Sequence, residues 1–238
     1  MNLCIDIGNS SVKAGIFRDN SLICTQRVEG HDLSWLVTFC EGKEIDRCIV
    51  CSVSGYTADN KEDVDKICND AIYFSHATPI PVTNLYHTPE TLGPDRLAAA
   101  IGAYFETHQD TAVIDAGTAI TYDIVTAQGE YLGGNISPGI DIRLKALHDY
   151  TARLPLVSAD GPLPDFGKDT ETAIRCGVIR GVNYEIEQFI SQMLLKYPNL
   201  LVFLTGGSKI DFEDSIKKRI FVDKYIVLKG LNVVLNNL

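Results

Sequence analysis

Ile5-Asp6-Ile7-Gly8-Asn9-Ser10 ends the first strand-like run of this chain, and much of its pattern returns about a hundred residues later as Ile114-Asp115-Ala116-Gly117-Thr118-Ala119. In both copies an apolar run reaches Asp-x-Gly and a polar residue, and a second apolar run follows. Glycine permits a tight turn and lets backbone N–H groups approach an anion closely. An aspartate at a strand end can hold a cation against phosphate oxygens. The repeat therefore predicts two hairpins that clamp a nucleoside triphosphate, although Asp-x-Gly is also a common turn sequence.

The bulk composition restricts the classes of function. The chain has 238 residues, of which 45% are hydrophobic, enough for a substantial core in one or two domains. Its formal net charge of −10 argues against a nucleic-acid partner, because duplex binding needs a basic footprint. No apolar run reaches the roughly 18–20 residues that cross a bilayer, and the N-terminus lacks the basic segment typical of signal peptides. We therefore expect a cytoplasmic protein with no membrane or nucleic-acid partner.

The chain contains seven cysteines, an odd number that fits reduced thiols better than a disulfide framework. Cys48 and Cys51 form a C-x-x-C within the apolar run 45–53, which is predicted to be a buried strand. Residues three apart on a strand point to opposite faces, so the two thiols would not converge on one metal ion. We interpret both cysteines as core residues.

Strand-like and helix-like runs alternate along the chain, which predicts an α/β fold. Gly177 and Gly181 lie one turn apart on a predicted helix and suggest close packing at a domain seam or dimer interface. The repeated hairpin places a domain boundary near residue 112. Helices are predicted from Asp59 to Ala71, from Asp95 to His108, from a cap at Asp169 or Thr170 to about Lys196, and from Leu228 to Leu238.

Several residues have both a functional and an ordinary interpretation. An acidic protein that binds ATP must concentrate positive charge locally, and Lys13 is either such a charge or a surface lysine. The glycine loops of the P-loop and dinucleotide-binding motifs are missing from the sequence. Gly206-Gly207 at a strand end is a candidate for the adenine side or a simple turn. Asp95 is either a helix cap or a general base, with Arg96 as an anchor for an anionic substrate.

Taken together, these motifs resemble the type III pantothenate kinases, a family of the actin-like and sugar-kinase superfamily. The resemblance covers nearly the whole chain and implies two RNase H-like α/β domains of the actin-like ATPase fold, 1–112 and 113–238, with ATP in the cleft between them. The final helix is a candidate to return to the first domain. The matching motifs are Asp6-x-Gly8-Asn9-Ser10-x-x-Lys13, Gly93-Pro94-Asp95-Arg96, Asp115-x-Gly117-Thr118-Ala119-x-Thr121, Gly133-Gly134 with Pro138-Gly139, Gly167-Lys168-Asp169-Thr170 and Thr205-Gly206-Gly207.

The resemblance implies ATP-dependent phosphorylation of the 4′-hydroxyl of pantothenate, the first step of coenzyme A biosynthesis, by a homodimer. It implies Mg²⁺ near Asp6, a monovalent cation (K⁺ or NH₄⁺) at Asp115, and Asp95 as the catalytic base. The residues expected to bind ATP are Asp6, Gly8, Asn9, Ser10, Lys13 and Thr118, with Gly206 and Gly207 on the adenine side. The residues expected to bind pantothenate are Tyr86, Gly93, Pro94, Asp95, Arg96 and Thr170.

Three positions depart from the family's usual pattern. Ser10 replaces threonine and keeps the hydroxyl. Pro94 replaces a small residue, fixes φ and removes a backbone N–H. Asp169 replaces asparagine and adds negative charge near a carboxylate substrate.

Two other functions stay open at this point. One is a catalytically weak relative that serves as a transcriptional accessory factor. The other is an actin-like ATPase without a small-molecule acceptor. Retention of Asp6, Asp95 and Asp115 favours the enzyme.

Overall fold

The structure is a computed structural model that describes residues 1–53, 55–207 and 217–238. Strands and helices alternate along the chain, as the sequence predicts for an α/β fold. The described strands are β1 Asn2–Ile7, β2 Ser11–Arg18, β3 Ser21–Glu29, β4 Arg47–Ser52, β5 Ile72–Tyr73, β6 Thr83–Asn84, β7 Thr111–Ala116, β8 Ala119–Val125, β9 Glu130–Pro138, β10 Leu201–Gly206 and β11 Ile220–Val222. The described helices are α1 Leu36–Cys40, α2 Ala58–Asp65, α3 Pro94–Thr107, α4 Ile140–Asp149, α5 Thr170–Lys196 and α6 Ile226–Asn236, with a 3-10 turn at Pro89–Thr91.

Contacts within the chain divide it into two compact units. Unit 1 contains Met1–Thr111, Asp123–Gly133 and Lys224–Leu238. Unit 2 contains Ala112–Tyr122 and Gly134–Asp223. The domain boundary near residue 112 stays a prediction.

The first sheet belongs to unit 1 and has the strand order β3-β2-β1-β4-β5. β1 pairs antiparallel with β2 and parallel with β4, so it lies inside the sheet. Residues 3–7 of β1 are all buried, as is typical of a strand that is covered on both faces. Apolar residues of β1, β2 and β4 form the core of this unit together with Leu33, Leu36 and Val64.

The second sheet has the strand order β11-β10-β7-β8-β9-β6. β10 pairs in parallel with β11 within unit 2, and β6 pairs in parallel with β9 within unit 1. β7 and β8 are joined by the short turn Gly117-Thr118, in which the Gly117 N–H donates to the Ala119 carbonyl at 3.1 Å. The second predicted hairpin is therefore present.

Two glycines bring α3 and α6 of unit 1 into direct backbone contact. A Cβ atom on Gly230 would lie 1.8 Å from the Ala98 carbonyl oxygen, and one on Gly102 would lie 2.4 Å from the Ile226 carbonyl oxygen. Most of α6 is buried and apolar. Each large apolar side chain contributes about 1.5–3 kcal/mol to folding stability when it is fully buried. Burial of the α6 side chains therefore stabilises the packing of α6 on α3.

The helices confirm most of the predicted boundaries. α3, α5 and α6 begin and end within about two residues of the predicted positions. The start of α5 is fixed by Asp169, whose side chain accepts a backbone N–H in a capping box. The prediction of a helix as far as Ala71 is wrong, because α2 ends at Asp65 and the following Ile67 and Cys68 turn inward to pack on the core of unit 1. None of the described helices is both long enough and apolar enough to cross a membrane.

Candidate active site

Four polar residues form one row across the first sheet of unit 1. The pairing register places Arg27 opposite Lys13, Lys13 opposite Asp6, and Asp6 beside Cys51. Residues that pair in this way project from the same face of a sheet. Lys13 Nζ lies 4.0 Å from Asp6 Oδ2. Asp6 and Cys51 are buried and the Lys13 side chain is 23% exposed, so the row runs from the interior of the unit toward its surface.

The turn that follows Asp6 is held by a hydrogen bond within its own backbone and by the side chains of Arg27 and His31. The Gly8 N–H donates to the Ser11 carbonyl at 3.0 Å, which closes the turn and leaves Asn9 and Ser10 exposed. The His31 ring lies 3.0 Å from the Gly8 carbonyl oxygen, and Arg27 Nε donates to Ser11 Oγ at 3.1 Å. The sequence analysis missed His31 and Arg27, because only the β2–β3 pairing brings them to this turn.

Asp95 occupies the second position of α3. The N-cap residue is Gly93, and Pro94 is the first helical residue, where a missing N–H costs no intrahelical bond. Asp95 is therefore in the first turn of the helix and is not its N-cap residue. Burial raises the pKa of Asp95, and the charge of Asp123 raises it further, against the opposing effect of the Arg96 backbone N–H. A carboxyl group with a raised pKa is suited to accept a proton near neutral pH.

Asp6 and Asp95 lie in the same region of unit 1. Burial raises the pKa of the Cys51 thiol, and the carboxylates of both aspartates raise it further. The thiol of β4 therefore lies within electrostatic range of the end of β1 and the start of α3. Asp6 and Asp95, which the sequence analysis singled out separately, are therefore both within electrostatic range of this thiol.

Arg96 is buried, and its guanidinium is paired with Asp123 on β8. Nε donates to both carboxylate oxygens at 3.1 and 3.2 Å, and Nη2 donates to Oδ1 at 2.7 Å. The Tyr131 hydroxyl donates to the same Oδ1 at 2.7 Å. The Arg96 Cζ lies 5.9 Å from the centre of the Tyr86 ring, which in turn packs against Gly133. Tyr86, Asp95 and Arg96 therefore share one cluster, and Asp123 and Tyr131 complete it without having been predicted.

The second hairpin of unit 2 is packed between two glycines. Asp115 at the end of β7 is half-buried and Thr118 in the turn is exposed. A Cβ atom on Gly139 would lie 2.4 Å from the Thr118 carbonyl oxygen. One on Gly206 would lie 2.5 Å from the Ala116 carbonyl carbon. Glycine is therefore required at positions 139 and 206, because the backbone of the turn comes too close to leave space for a Cβ atom.

The start of α5 in unit 2 carries the remaining predicted residue. Thr170 is exposed at the first helical position. The backbone N–H of Thr172 donates to the carboxylate of Asp169, and this hydrogen bond lowers the pKa of Asp169. Asp169 therefore stays ionised beside Thr170, as the departure from the family pattern implies.

The residues available for metal binding suit a cation that arrives with a phosphate ligand. Mg²⁺ in kinase sites is held by one or two carboxylates together with phosphates and waters. Among residues 1–53, 55–207 and 217–238, no group of three or more His, Cys, Asp or Glu side chains is arranged to hold a metal ion. The buried carboxylate of Asp6 fits Mg²⁺ of this kind.

Cys48 and Cys51 are both buried in β4, where burial raises the pKa of each thiol.

Comparison with known proteins identifies relatives over most of the chain. The sequence profile of a family described as type III pantothenate kinase matches residues 2–192. A type III pantothenate kinase of Bacteroides fragilis is 48% identical over 237 residues, which cover 99% of this chain and 98% of the relative.

Solved structures with low sequence identity share the fold. A putative Baf family transcriptional activator from Campylobacter jejuni has a TM-score of 0.59 at 24% identity, with 99% of this chain and 98% of that chain covered. A putative N-acetylmannosamine kinase from Listeria monocytogenes has a TM-score of 0.58 at 14% identity, with the same coverage. These likenesses and the mixed α/β architecture establish a two-domain actin-like fold.

Gly206→Ala should destabilise unit 2, whereas Gly207→Ala should be nearly neutral. Gly206 has a φ of +96°, and its new Cβ would collide with the Ala116 backbone, whereas a Cβ on Gly207 would meet no described atom within 4 Å. We expect Gly206→Ala to lower the free energy of unfolding by about 2–5 kcal/mol and Gly207→Ala to change it by less than about 0.5 kcal/mol. Urea denaturation checks both values, and equal stabilities would contradict the packing argument.

Proposed function

The chain belongs to the type III pantothenate kinase family, and from this premise we propose that it transfers the γ-phosphoryl group of ATP to the 4′-hydroxyl of pantothenate. The product, 4′-phosphopantothenate, is the first intermediate of coenzyme A biosynthesis. The observation that carries this proposal is the family match over residues 2–192. Buried Asp6 and half-buried Asp95 of unit 1 support it chemically. A cytoplasmic location remains a prediction.

Asp95 is the proposed general base. Phosphoryl transfer depends on positioning and charge neutralisation, and the acceptor hydroxyl must lose its proton as the bond to phosphorus forms. The buried surroundings of Asp95 and the neighbouring Asp123 raise its pKa, which increases its affinity for that proton. Its place in the first turn of α3 also keeps the carboxylate on a rigid element.

The first hairpin is the proposed phosphate-binding element of unit 1. Gly8 offers backbone in a tight turn, Asn9 and Ser10 are exposed beside it, and Lys13 supplies positive charge on the returning strand. Asp6 is the proposed Mg²⁺ ligand, and when bound this ion would neutralise phosphate charge. Thr118, Gly206 and Gly207 are further proposed contacts to ATP.

Pantothenate is proposed to bind at the cluster around Asp95. Gly93 lies beside the Asp95 carboxylate, Arg96 follows it in sequence, and the Tyr86 ring lies next to Arg96. Thr170 is a further proposed contact to pantothenate. Pro94 also belongs to this motif. Its first helical position makes the substitution compatible with the fold, because an N–H there has no partner within the helix.

A monovalent cation at Asp115 and a homodimer complete the proposal. Asp115 is half-buried at the end of β7 and offers carboxylate oxygen, a donor suited to K⁺ or NH₄⁺. Gly177, Gly181 and Tyr184 share one face of α5 by helical spacing. A Cβ on either glycine would meet no described atom within 4 Å, and 62% of the Tyr184 side chain is exposed. This open face supports packing against a second copy.

ADP release should require pantothenate and should be faster with K⁺ or NH₄⁺ than with Na⁺. The reason is that Asp115 would hold a cation that helps to offset the charge of the triphosphate. A coupled assay of ADP release in Mg²⁺, with each monovalent salt at equal ionic strength, measures both effects. Release that is independent of pantothenate would contradict the substrate, whereas equal rates in Na⁺ and K⁺ would contradict only the cation role.

Asp95→Asn should lower kcat by about two to four orders of magnitude and leave ATP binding intact. A carboxyl group whose pKa is raised on folding binds its proton more tightly in the folded state, so its ionised form opposes folding above that pKa. The asparagine variant should therefore melt at the same or a higher temperature at neutral pH. Because the pKa of Asp95 is raised, acidification should lower the wild-type kcat at a higher pH than it would if this carboxyl group had its ordinary pKa.

Asp169→Asn is the matched control for this variant. It removes a carboxylate from another helix start, where asparagine caps about as well as aspartate. We expect kcat to stay within about twofold of wild type, because Asp169 has no proposed role in proton transfer. A near wild-type kcat for Asp95→Asn would leave the proposed reaction without its base.

Light scattering should give a mass of about twice the 26.2 kDa of one chain at micromolar concentration. Alanine at Gly177 and Gly181 would favour an isolated helix by up to about 1 kcal/mol at each site. If the α5 face packs against a second copy, the double variant should instead shift the population toward the monomer. A monomeric wild type would contradict the proposed dimer.

A further inference from the structure

The pair formed by Arg96 and Asp123 is too deeply buried to be explained as an ordinary surface ion pair. The side chains of Arg96 and Asp123 are 6% and 1% exposed. A buried ion pair contributes little net stability compared with apolar residues of similar size, because both charges lose their hydration. Such a pair is therefore weak evidence for a stabilising role. Arg96 directly follows Asp95, the proposed base, and this position points to a functional role.

The carboxylate of Asp123 is itself held in place. The Tyr131 hydroxyl donates to Oδ1 at 2.7 Å, and the Tyr131 side chain is completely buried. Arg96 donates to both oxygens of the same carboxylate, which fixes the plane of the guanidinium. The ring of Tyr86 lies against Arg96 as well, at 5.9 Å from Cζ to the ring centre. The Arg96 head group is thus restrained directly by Asp123 and Tyr86, and Tyr131 restrains it only through Asp123.

We propose that Asp123 is a positioning residue of the pantothenate site, which fixes the Arg96 guanidinium so that its remaining N–H donors can bind the carboxylate of the substrate. The proposal rests on the proposed function, in which Arg96 anchors pantothenate. Asp123 takes the Nε donor and one Nη2 donor, and the Tyr86 side chain is a further hydrogen-bond partner of the guanidinium. A guanidinium has five N–H donors, so donors remain for another acceptor. Tyr131 acts one step further away, through Asp123.

Asp123→Asn should raise the KM for pantothenate by about 10- to 100-fold, and Tyr131→Phe should raise it by about three- to tenfold. The KM for ATP should stay within about twofold of wild type in both variants, because neither residue is proposed to contact the nucleotide. The same steady-state assay should use pantothenol, which replaces the carboxylate of pantothenate with an alcohol. Its KM should be insensitive to both substitutions, since the restrained guanidinium then has no carboxylate to bind.

Tyr122→Phe is the matched control. Tyr122 is also buried on β8, and its hydroxyl donates to the carboxylate of Glu185 at 2.6 Å. The variant Tyr122→Phe therefore loses the same kind of hydrogen bond as Tyr131→Phe, at a site within unit 2. We expect both tyrosine variants to lower Tm by similar amounts, but only Tyr131→Phe to raise the KM for pantothenate.

A wild-type KM for pantothenate in both Asp123→Asn and Tyr131→Phe would overturn the inference. It would also be overturned if pantothenol and pantothenate were affected equally, because the role would then be structural. If Asp123→Asn does not fold, Tyr131→Phe and its control carry the test alone. Failure of the proposed function is a separate result, since it appears as pantothenate-independent ADP release by the wild-type chain before any variant is measured.

Discussion

The pairing of β1 with its two neighbours is the constraint on which the site of unit 1 depends. Antiparallel pairing with β2 places Lys13 opposite Asp6, and parallel pairing with β4 places Cys51 beside it. A shift of one residue in either register would turn these side chains to the other face of the sheet. Because residues 3–7 are buried on both faces, such a shift would also break the core. The core of the unit therefore fixes the position of the aspartate proposed to hold Mg²⁺.

The same unit concentrates ionisable groups that an apolar core would not need. Burial raises the pKa of Asp95, and the presence of Asp123 raises it further, so the ionised form of Asp95 opposes folding at neutral pH. Arg96 offsets part of this negative charge through its pairing with Asp123. A buried charge that opposes folding is expected at a site where charged groups are arranged for chemistry rather than for stability. The packing of α6 on α3 supplies apolar burial in the same unit.

Close backbone contacts hold the turn between β7 and β8 in unit 2. Gly139 and Gly206 both lie so close to the turn between β7 and β8 that neither position has space for a Cβ atom. Gly206 also has a positive φ, which other residues adopt only with strain. These two contacts hold the turn that carries Thr118 in a fixed place within the unit. The glycine motifs are thus explained by packing of the turn itself, before any ligand is considered.

The sequence by itself determined the parts of this protein that depend on local pattern. The two Asp-x-Gly hairpins, the capped start of α5 and its end near Pro198 were all predictable, because turns, caps and helical periodicity act over a few residues. Asp6, Asp95 and Arg96 could be singled out as candidates from the motifs that contain them. The end of α2 was not predictable, because it depends on Ile67 and Cys68 reaching a core formed elsewhere in the chain.

Only the tertiary structure decided which groups surround those candidates. Asp123 is separated from Arg96 by 27 residues, and Tyr131 by more, so no local pattern connects them. His31 and Arg27 reach the first hairpin only through the register of β3. The physical reason is that hydrogen bonding and desolvation act at contact distance in space, whereas sequence patterns report only neighbours along the chain. The sequence therefore specified the elements that carry the chemistry, and the fold specified the partners that orient it.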